Sequence, residues 1–351
     1  LSHACLYNII SCYLGQPLNN LKREHILDAP IPIAPPEQQK RIVAKIEELF
    51  SHIDAGIAAL NKAKQLLKQY RQSVLKAAVT GELTKQWRED NKDKLEPASQ
   101  LLERILQERR QKWESQQLEQ FKAKAKIPKD DKWKGTYPEP ATPTQVEVPG
   151  GWATATLDQI SEYITSGSRG WAKYYSGSGA TFIRAQNLKH DDLRLDDVAF
   201  VTLPDSAEGM RTKVKLADVL ITITGANVTK TGIVDIDIEE GYVSQHVALC
   251  RPVLKECSEY LYQFLISKDG GRKKLEAAAY GAGKPGLNLE NIKTLNFPLP
   301  GLDEQIEIKN AVSERLSKVE RLVKELDTQL LKAEKNKQSV LSSAFSGKII
   351  N

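Results

Sequence analysis

The feature that most constrains this chain is an internal repeat of about fifty residues. The stretch from Ile31 to Leu83 matches the stretch from Phe297 to Ile349 without a gap, at a constant offset of 266 residues. The same offset places Gln72-Ser73-Val74-Leu75 on Gln338-Ser339-Val340-Leu341, and Gly81 on Gly347. Self-similarity of this kind marks a structural element that is used twice.

Each copy carries the signals of a long helix that is entered from an extended segment. Proline biases the residue before it away from helical geometry, and the extended entry to each predicted helix contains prolines, at Pro30, Pro32, Pro35 and Pro36 and at Pro298 and Pro300. Acidic residues at the predicted first turn complement the helix dipole; they are Glu37, Asp303 and Glu304. A glycine, Gly81 or Gly347, then stands where helices prefer to end.

Both predicted helices have heptad-spaced apolar residues, which is the pattern of a coiled coil. The predicted seam comprises Ile46, Leu49, Ile53, Leu60, Leu67 and Val74 in the first helix and Val312, Val319, Leu326 and Val340 in the second. A second stripe of the first helix includes Gly56, Ala63 and Tyr70, and its small residues favour close approach of a partner backbone. Two matching helices in one chain favour pairing with each other; the alternative is that each packs on its own domain.

Between the two copies the sequence predicts a mixed α/β domain. Short runs rich in β-branched residues are separated by Gly, Asp and Asn, and they cover residues 180–184, 198–202, 219–224, 232–238 and 247–251. Residues 257–280 are predicted to form a helix, and residues 95–125 another. The lysine-rich stretch from Lys122 to Lys134 is interpreted as a solvated linker, with a DNA-phosphate contact strip as the alternative.

Composition excludes several classes of protein. The net charge of +5 suits an anionic partner only mildly. The cysteines Cys5, Cys12, Cys250 and Cys257 lack metal or redox spacing, which indicates reduced thiols in the cytoplasm. No apolar run approaches the ~20 residues that a membrane span needs. Catalytic motifs also fail: Gly281-Ala282-Gly283-Lys284 resembles a phosphate loop, but Pro285 replaces the required Ser or Thr.

The order of these elements resembles the specificity subunits of type I restriction-modification systems. The likeness is carried by Ile31-Pro32 through Pro35-Pro36-Glu37-Gln38-Gln39 with Ile42-Val43, and by the echo Phe297-Pro298-Leu299-Pro300 to Asp303-Glu304-Gln305. Further matching motifs are Gln72-Ser73-Val74-Leu75 to Thr80-Gly81-Glu82-Leu83, Pro149-Gly150-Gly151-Trp152, and Asp218-Val219-Leu220 leading to Gly225. Residues 1 to about 30 match only the end of a first recognition domain, so the resemblance implies a truncated subunit with one complete DNA reader.

This resemblance implies an α+β fold in which a mixed α/β target-recognition domain is attached to two long helices that form an antiparallel coiled coil. The expected segments are a remnant of a first recognition domain (1–35), the first long helix (36–82), a further helix with a basic, Pro-rich linker (83–148), the recognition domain (149–300) and the second long helix (301–351).

The resemblance further implies a cytoplasmic, non-catalytic subunit that binds double-stranded DNA, two modification subunits and motor-nuclease restriction subunits. No cofactor is expected on this chain; S-adenosylmethionine, ATP and Mg²⁺ would serve the partners. A homodimer is a further expectation for a chain with one reader. The alternative function is a coiled-coil assembly or decoy protein that binds the partner subunits, or another protein, without reading DNA.

Base readout needs side chains with directed donors and acceptors on loops, together with cations for phosphates. The candidates are Ser168, Arg169, Trp171, Lys173, Tyr174, Tyr175, Arg184, Gln186, Asn187, Asn227, Lys230, Gln245, His246 and Lys284. For the segment from Ser166 to Tyr175, the alternative is an ordinary glycine-rich loop with its aromatic residues turned into the core. His246 has no second metal ligand spaced near it, so packing or hydrogen bonding is the competing role.

Arg169→Ala is expected to weaken specific DNA binding by ~1–3 kcal/mol and to relax preference at one base position, because Arg can bond guanine through two atoms. A competition assay with single-base variants of the preferred site measures both effects. Unchanged sequence selectivity would refute a base contact by Arg169.

Overall fold

A computed structural model describes residues 33–128, 130–204, 209–281 and 285–349 of the chain. The chain divides into two compact units, one of Leu1–Tyr70 with Leu316–Asn351 and one of Arg71–Arg315. Most of the predicted remnant at residues 1–35, including Cys5 and Cys12, lies outside the described residues. No helix within the described ranges is both long and apolar enough to cross a membrane.

Three helices come first along the chain, most of the short strands follow between residues 153 and 252, and further helices and one strand lead to the last long helix. The helices are α1 (Pro36–Val79), α2 (Lys85–Asn91), α3 (Ala98–Ala123), α4 (Leu157–Ile160), α5 (Ser258–Ile266), α6 (Lys273–Ala278), α7 (Leu289–Lys293) and α8 (Leu302–Phe345). The strands are β1 (Ala153–Thr156), β2 (Ser161–Ser166), β3 (Tyr175–Ser176), β4 (Ala180–Ile183), β5 (Ala199–Val201), β6 (Val219–Thr222), β7 (Thr231–Ile233), β8 (Gly241–Val243), β9 (Val247–Pro252) and β10 (Asn296–Leu299).

The first unit is built on the antiparallel pairing of α1 and α8. Lys64 Nζ lies 2.5 Å from Asp327 Oδ1, and Lys337 pairs with Asp54. Residue numbers therefore rise along one helix as they fall along the other, which confirms the predicted antiparallel coiled coil. Each helix is 44 residues long, and the two are the two copies of the repeat.

The predicted seam residues in this unit are half-buried or buried, with Val319 only 5% exposed. The second stripe differs from the prediction, because Gly56 and Tyr70 are exposed. Gly56, Ala59 and Ala63 line an open groove of about 540 Å³ between the helices, with Ala333 on the other side. The small residues thus leave space in the structure, and the predicted close backbone approach at Gly56 is wrong.

Both long helices begin with the same local hydrogen bond. Gln39 Nε2 donates to the Ala34 carbonyl at 2.6 Å, and Gln305 Nε2 donates to the Pro300 carbonyl at 2.9 Å. The repeat offset carries the first pair onto the second. The shared glutamine therefore fixes how the extended, proline-containing entry meets the first turn of each helix.

The second unit contains the predicted α/β domain, which is built on two four-stranded sheets. One sheet has the order β2-β9-β6-β7 and is antiparallel throughout; the other has the order β3-β5-β4-β8, in which β4 and β8 are parallel. β1 and β10 form a separate antiparallel pair. The core between the sheets is aliphatic and comprises Ile183, Leu188, Val214, Leu220, Val234, Val243, Val247 and Leu249.

The single helix predicted at 257–280 is broken into α5 and α6. Gly270 adopts a non-helical conformation between them (φ −97°, ψ −124°). A Cβ atom at this position would stand 2.5 Å from the Phe264 carbonyl oxygen, so the turn needs glycine there. Helical periodicity continues across this turn, and for that reason the pattern does not reveal the break.

The stretch after α3 is not a free solvated linker. Trp133 stacks on Trp113 of α3 at 5.9 Å, and the backbone N–H of Ala141 donates to Asp158 Oδ2 at 3.0 Å. Arg109 of α3 is 5% exposed; it donates to the Ser161 carbonyl at 2.9 Å and to Tyr137 Oη at 2.6 Å. These contacts hold α3 and the following segment on the N-terminal end of β2.

A buried carboxylate, Glu304, ties together three segments of the second unit. Its Oε1 accepts hydrogen bonds from Thr84 Oγ1 at 2.7 Å and Arg88 Nη1 at 2.6 Å, and its Oε2 accepts from Trp152 Nε1 at 2.8 Å. Glu304 is 2% exposed, so the charge depends on these partners for stabilisation. The start of α8, the turn after α1 and the first residues of the α/β domain are thereby fixed to one another.

Glu304→Ala is expected to destabilise the second unit by about 3 kcal/mol, because it leaves Arg88 partly buried without its carboxylate. Urea unfolding followed by tryptophan fluorescence measures the loss, since Trp152 lies at the site. Gln38 holds the equivalent position in the first copy, and Gln38→Ala is the matched control, with less than about 0.5 kcal/mol expected. Equal losses in the two variants would contradict the assignment.

Candidate nucleic-acid interface

The sheet topology brings distant predicted residues to one end of the second unit. β2 and β6 end there, at Ser166 and Thr222, while β7 and β9 begin there, at Thr231 and Val247. The parallel strands β4 and β8 also end on this side, since the Ser244 N–H donates to the Ile183 carbonyl at 2.9 Å. We call the connecting segments the loop edge; it comprises 166–170, 184–187, 223–230, 244–246, Tyr280 and 285–286.

Backbone hydrogen bonds join these segments side by side. Gly167 N–H donates to the Ser244 carbonyl at 3.3 Å, and Ile223 N–H donates to the His246 carbonyl at 2.9 Å. Gly225 N–H donates to the Pro285 carbonyl at 2.9 Å. A Cβ atom at Gly167 would stand 2.1 Å from the Val243 carbonyl oxygen, so only glycine permits this close approach. The loop edge is therefore an ordered surface.

Three of the predicted residues are exposed near the start of this edge. Arg169 and Lys173 are exposed, and Lys173 Nζ stands 4.9 Å from the ring centroid of Tyr174. Tyr175 is 47% exposed. These side chains offer a planar donor group, a point charge and a phenol to a ligand outside the protein. They are the chemical types that phosphate and base-edge contacts use.

Trp171 lies in the core and is only 6% exposed. Its ring stacks on Phe182 at 5.8 Å and meets Tyr242 edge-on at 5.5 Å, and half-buried Tyr174 contacts it at 6.4 Å. Burial, together with a hydrogen bond donated to Glu240, raises the pKa of Tyr242 to about 12. The alternative of inward-turned aromatic residues thus applies to Trp171, which supports the loop and cannot reach a base as a wedge.

Asn187 is also structural, with 3% of its surface exposed. Its Nδ2 donates to the carbonyls of Arg194 and Asp197 at 2.8 and 2.9 Å, and its Oδ1 accepts from the Arg184 N–H at 2.9 Å. All three interactions are internal, so its amide is already used within the protein. Asn187 therefore stabilises the loop, and a contact with a base would have to break these internal bonds.

Arg184 and Gln186 face an acidic neighbour. Gln186 Nε2 donates to Asp197 Oδ2 at 3.0 Å, and Arg184 Nη2 lies 3.8 Å from Asp197 Oδ1. Asp197 is exposed, which screens both interactions. Because exposed pairs are weak, a DNA phosphate or base edge can compete with Asp197 for these two donors.

Lys230 is half-buried and pairs with Asp191 rather than pointing freely outward. Asp191 Oδ2 accepts from Lys230 Nζ at 3.0 Å, and Oδ1 accepts from the Thr231 N–H at 3.1 Å and from buried Arg272. Arg272 also donates to Thr229 Oγ1 at 3.4 Å. Asp191 and Thr229 both have positive φ, at +58° and +70°. The cluster therefore fixes the segment between β6 and β7 in a conformation that it would not adopt alone.

All but one of the remaining predicted residues lie on the loop edge. Gln245 is exposed and its Nε2 lies 3.1 Å from His246 Nε2, while Ser168 and Asn227 are half-buried on the edge. Lys284 lies outside the described residues. Within the described ranges no group of three or more His, Cys, Asp or Glu side chains is placed to hold a metal ion.

The opposite end of the β2-β9-β6-β7 sheet carries a different surface. Lys215, Asp218 and Lys255 line a cleft of about 530 Å³ there, and Arg251 bonds Asp218 through two nitrogen atoms at 2.8 and 2.6 Å. α3 also packs at this end, through Arg109 and Ser161. The lysine-rich stretch that follows α3 is accordingly not part of the loop edge.

Sequence reasoning missed two residues of this surface. Asp191 stands in an acidic stretch without periodicity, and no sequence signal distinguishes it from its neighbour Asp192. Tyr280 is 67% exposed, and its signal in the sequence is an aromatic residue between two small residues, Ala279 and Gly281.

Comparison with known sequences gives a family match over most of the chain. The family model described as the type I restriction modification DNA specificity domain matches residues 111–333. The type I restriction enzyme EcoBI specificity subunit of Escherichia coli is 26% identical over 332 residues, covering 95% of this chain and 61% of that protein. The StySPI specificity subunit of Salmonella potsdam is 24% identical over 349 residues, covering 97% and 62%. The chain thus spans about three-fifths of the length of these curated relatives.

Solved structures with a similar fold are longer as well. A chain from a structure concerned with complex assembly and conformational transition of the type I R-M system aligns with a TM-score of 0.63 at 16% identity, covering 99% of this chain and 69% of that one. The HsdS subunit of Thermoanaerobacter tengcongensis aligns with a TM-score of 0.50 at 17% identity, covering 99% and 68%. At these identities the likeness concerns the fold.

Asp191→Asn is expected to destabilise the second unit by about 3 kcal/mol, because buried Arg272 loses its counter-charge. Asparagine tolerates the positive φ, so the change isolates the charge. Urea unfolding followed by circular dichroism gives the loss. Lys230→Ala removes the more exposed partner of the same carboxylate and should cost less than about 1 kcal/mol. A larger loss for Lys230→Ala would show that Arg272 is not the partner that matters.

Proposed function

The chain belongs to the type I restriction-modification DNA specificity family, and from this premise we propose that its second unit reads a DNA sequence through the loop edge. The observation that carries the proposal is the convergence of separate predicted segments on one ordered surface. Arg169, Gln186 and Gln245 lie on it although they are distant from one another in sequence, and Lys173 lies beside Arg169. Directed donors beside cations are what base readout and phosphate contact require.

In this proposal some DNA-contacting side chains are available at once, whereas others must first leave a partner within the protein. Arg169 and Lys173 are exposed and form no ion pair with another described residue, so they approach phosphates or guanine edges without displacing a carboxylate; Lys173 gives up only its contact with the Tyr174 ring. Arg184 and Gln186 must first leave Asp197, so they contribute only where the DNA compensates for that exchange. The acidic side chain thereby penalises DNA sequences that do not offer matching acceptors, which adds to specificity.

The helix pair of the first unit serves as a scaffold in this function. We expect modification subunits to bind the long helices, and restriction subunits to join through them, with double-stranded DNA held by the loop edge. Methyl transfer and cleavage would then belong to the partners, with their S-adenosylmethionine, ATP and Mg²⁺. Support comes from the family match and from the fold shared with a chain of a type I R-M complex.

A coiled-coil assembly or decoy protein is the rival function, and DNA binding separates the two. Phosphate contacts release counterions, so the logarithm of the binding constant on mixed-sequence DNA should fall linearly with the logarithm of salt concentration. Arg169→Ala with Lys173→Ala should reduce that slope by about 1, because Lys173 is the phosphate contact of the pair and Arg169 is assigned to a base edge. Fluorescence anisotropy from about 50 to 200 mM salt is the measurement.

The matched control is Lys215→Ala with Lys255→Ala, which removes two exposed cations from the opposite end of the sheet. This control should leave the slope unchanged. If the wild-type chain co-purifies with a modification subunit but shows no salt-dependent DNA binding, alone or in that complex, the assembly or decoy function is favoured and DNA reading is refuted.

A further inference from the structure

Tyr280 is an exposed aromatic residue at the loop edge that the proposed function has not used. It follows α6 and forms a closed hydrogen-bonded pair with Gly286: its N–H donates to the Gly286 carbonyl at 3.1 Å and its carbonyl accepts from the Gly286 N–H at 2.8 Å. With 67% of its surface exposed, it is more accessible than Tyr175 at 47%. Glycine directly opposite offers no side chain to cover the ring.

The backbone that carries Tyr280 is held firmly to the loop edge. Leu287 N–H donates to the Ile223 carbonyl at 2.8 Å, Gly225 N–H donates to the Pro285 carbonyl at 2.9 Å, and Thr224 bridges to Gly286. The Tyr280–Gly286 pair thus extends the end of β6 beyond the sheet. The ring is presented from a fixed backbone position, so little conformational entropy is lost when it meets a ligand.

A single exposed apolar side chain is common and by itself needs no explanation. Tyr280 differs because it shares its edge with the directed donors and cations described above, and because small residues, Ala279 and Gly281, flank it. Small neighbours allow a large ligand to approach the ring closely. An aromatic ring in that setting can contact a thymine methyl group or press on a base step.

We propose that Tyr280 is a specificity-determining contact, whose ring packs against the base edges at one or two adjacent positions of the DNA target. The inference rests on the proposed function and deepens it. Under this proposal the protein also recognises bases by nonpolar contact, through a segment that is distant from Arg169 in sequence. The contact depends on the ring and not on the phenol hydroxyl, because the hydroxyl is not needed for packing on a methyl group or a base step.

Selection from a random DNA pool by the 351-residue chain, followed by sequencing, tests the contact. Tyr280→Ala should lose about tenfold discrimination at one or two neighbouring base positions, with the other positions and the melting temperature unchanged. Tyr280→Phe should keep the wild-type preference. The control is Ile236→Ala, which removes a 47% exposed apolar side chain beyond the far end of β7 and should change nothing.

If Tyr280→Ala enriches the same sequence with the same discrimination as wild type, the contact is overturned while DNA reading stands. Loss of preference in Tyr280→Phe as well would overturn the ring-based contact in favour of a hydroxyl contact. If the wild-type chain enriches no sequence at all, DNA reading by this chain and the Tyr280 contact both fall.

Discussion

The stability of the second unit depends on the hydrogen bonds that its buried carboxylate Glu304 accepts. Glu304 stands in the first turn of α8, where the helix dipole favours an acidic residue. At 2% exposure the dipole alone would not compensate for the loss of water. Thr84, Arg88 and Trp152 supply the missing partners from two other segments. Through these three bonds the carboxylate holds the first residues of the α/β domain, the turn after α1 and the start of α8 to one another.

The same principle operates on a smaller scale beneath the loop edge. Asp191 joins the segment before β7 to Arg272 at the break between α5 and α6. Two residues with positive φ are held in place by this pairing. A surface that distinguishes ligands by a few directed donors needs its backbone fixed before the ligand arrives, since ordering it afterwards would cost affinity. The ion pairs of Asp191 provide part of that order here, together with the backbone hydrogen bonds between the segments and the packing of Trp171 beneath the first loop.

The sequence predicted the long helices well because a repeat doubles every signal. Prolines, first-turn acidic residues, heptads and the closing glycine each occur in both copies. A chance pattern would have to arise independently in each copy, which is improbable. The β-branched runs predicted β4, β5, β6, β9 and part of β7. They did not predict β1, β2, β3 and β10, or β8, whose three residues begin with glycine. Gly270 interrupts the predicted helix with a non-helical conformation, and a Cβ atom there would clash with the Phe264 carbonyl oxygen; the apolar periodicity carries no sign of either.

The candidate site shows the same division between local and tertiary information. Residue chemistry alone identified Arg169 and Lys173, which are exposed, but it could not separate them from Trp171 and Asn187, which are buried. A loop sequence states what its side chains can bind, whereas the sheet topology decides which of them face outward. Trp171 packs in the core and Asn187 bonds backbone carbonyls. Neither role can be recognised from the sequence alone.

The pairing of two copies of one helix raises a question of self-recognition. Since α1 and α8 share their apolar stripes, each is also chemically suited to pair with its own duplicate in another chain. The repeat puts Asn61 at the position of Asp327, so Lys64 would face an amide in an α1–α1 pair, and Asp327 would face Leu330 in an α8–α8 pair. The Asp54–Lys337 pair does not discriminate, because Arg71 and Glu320 keep its charges. The exposed Lys64–Asp327 contact therefore adds a small preference for α1–α8 pairing over pairing of either helix with its own duplicate, and it would be kept equally if two chains exchanged helices.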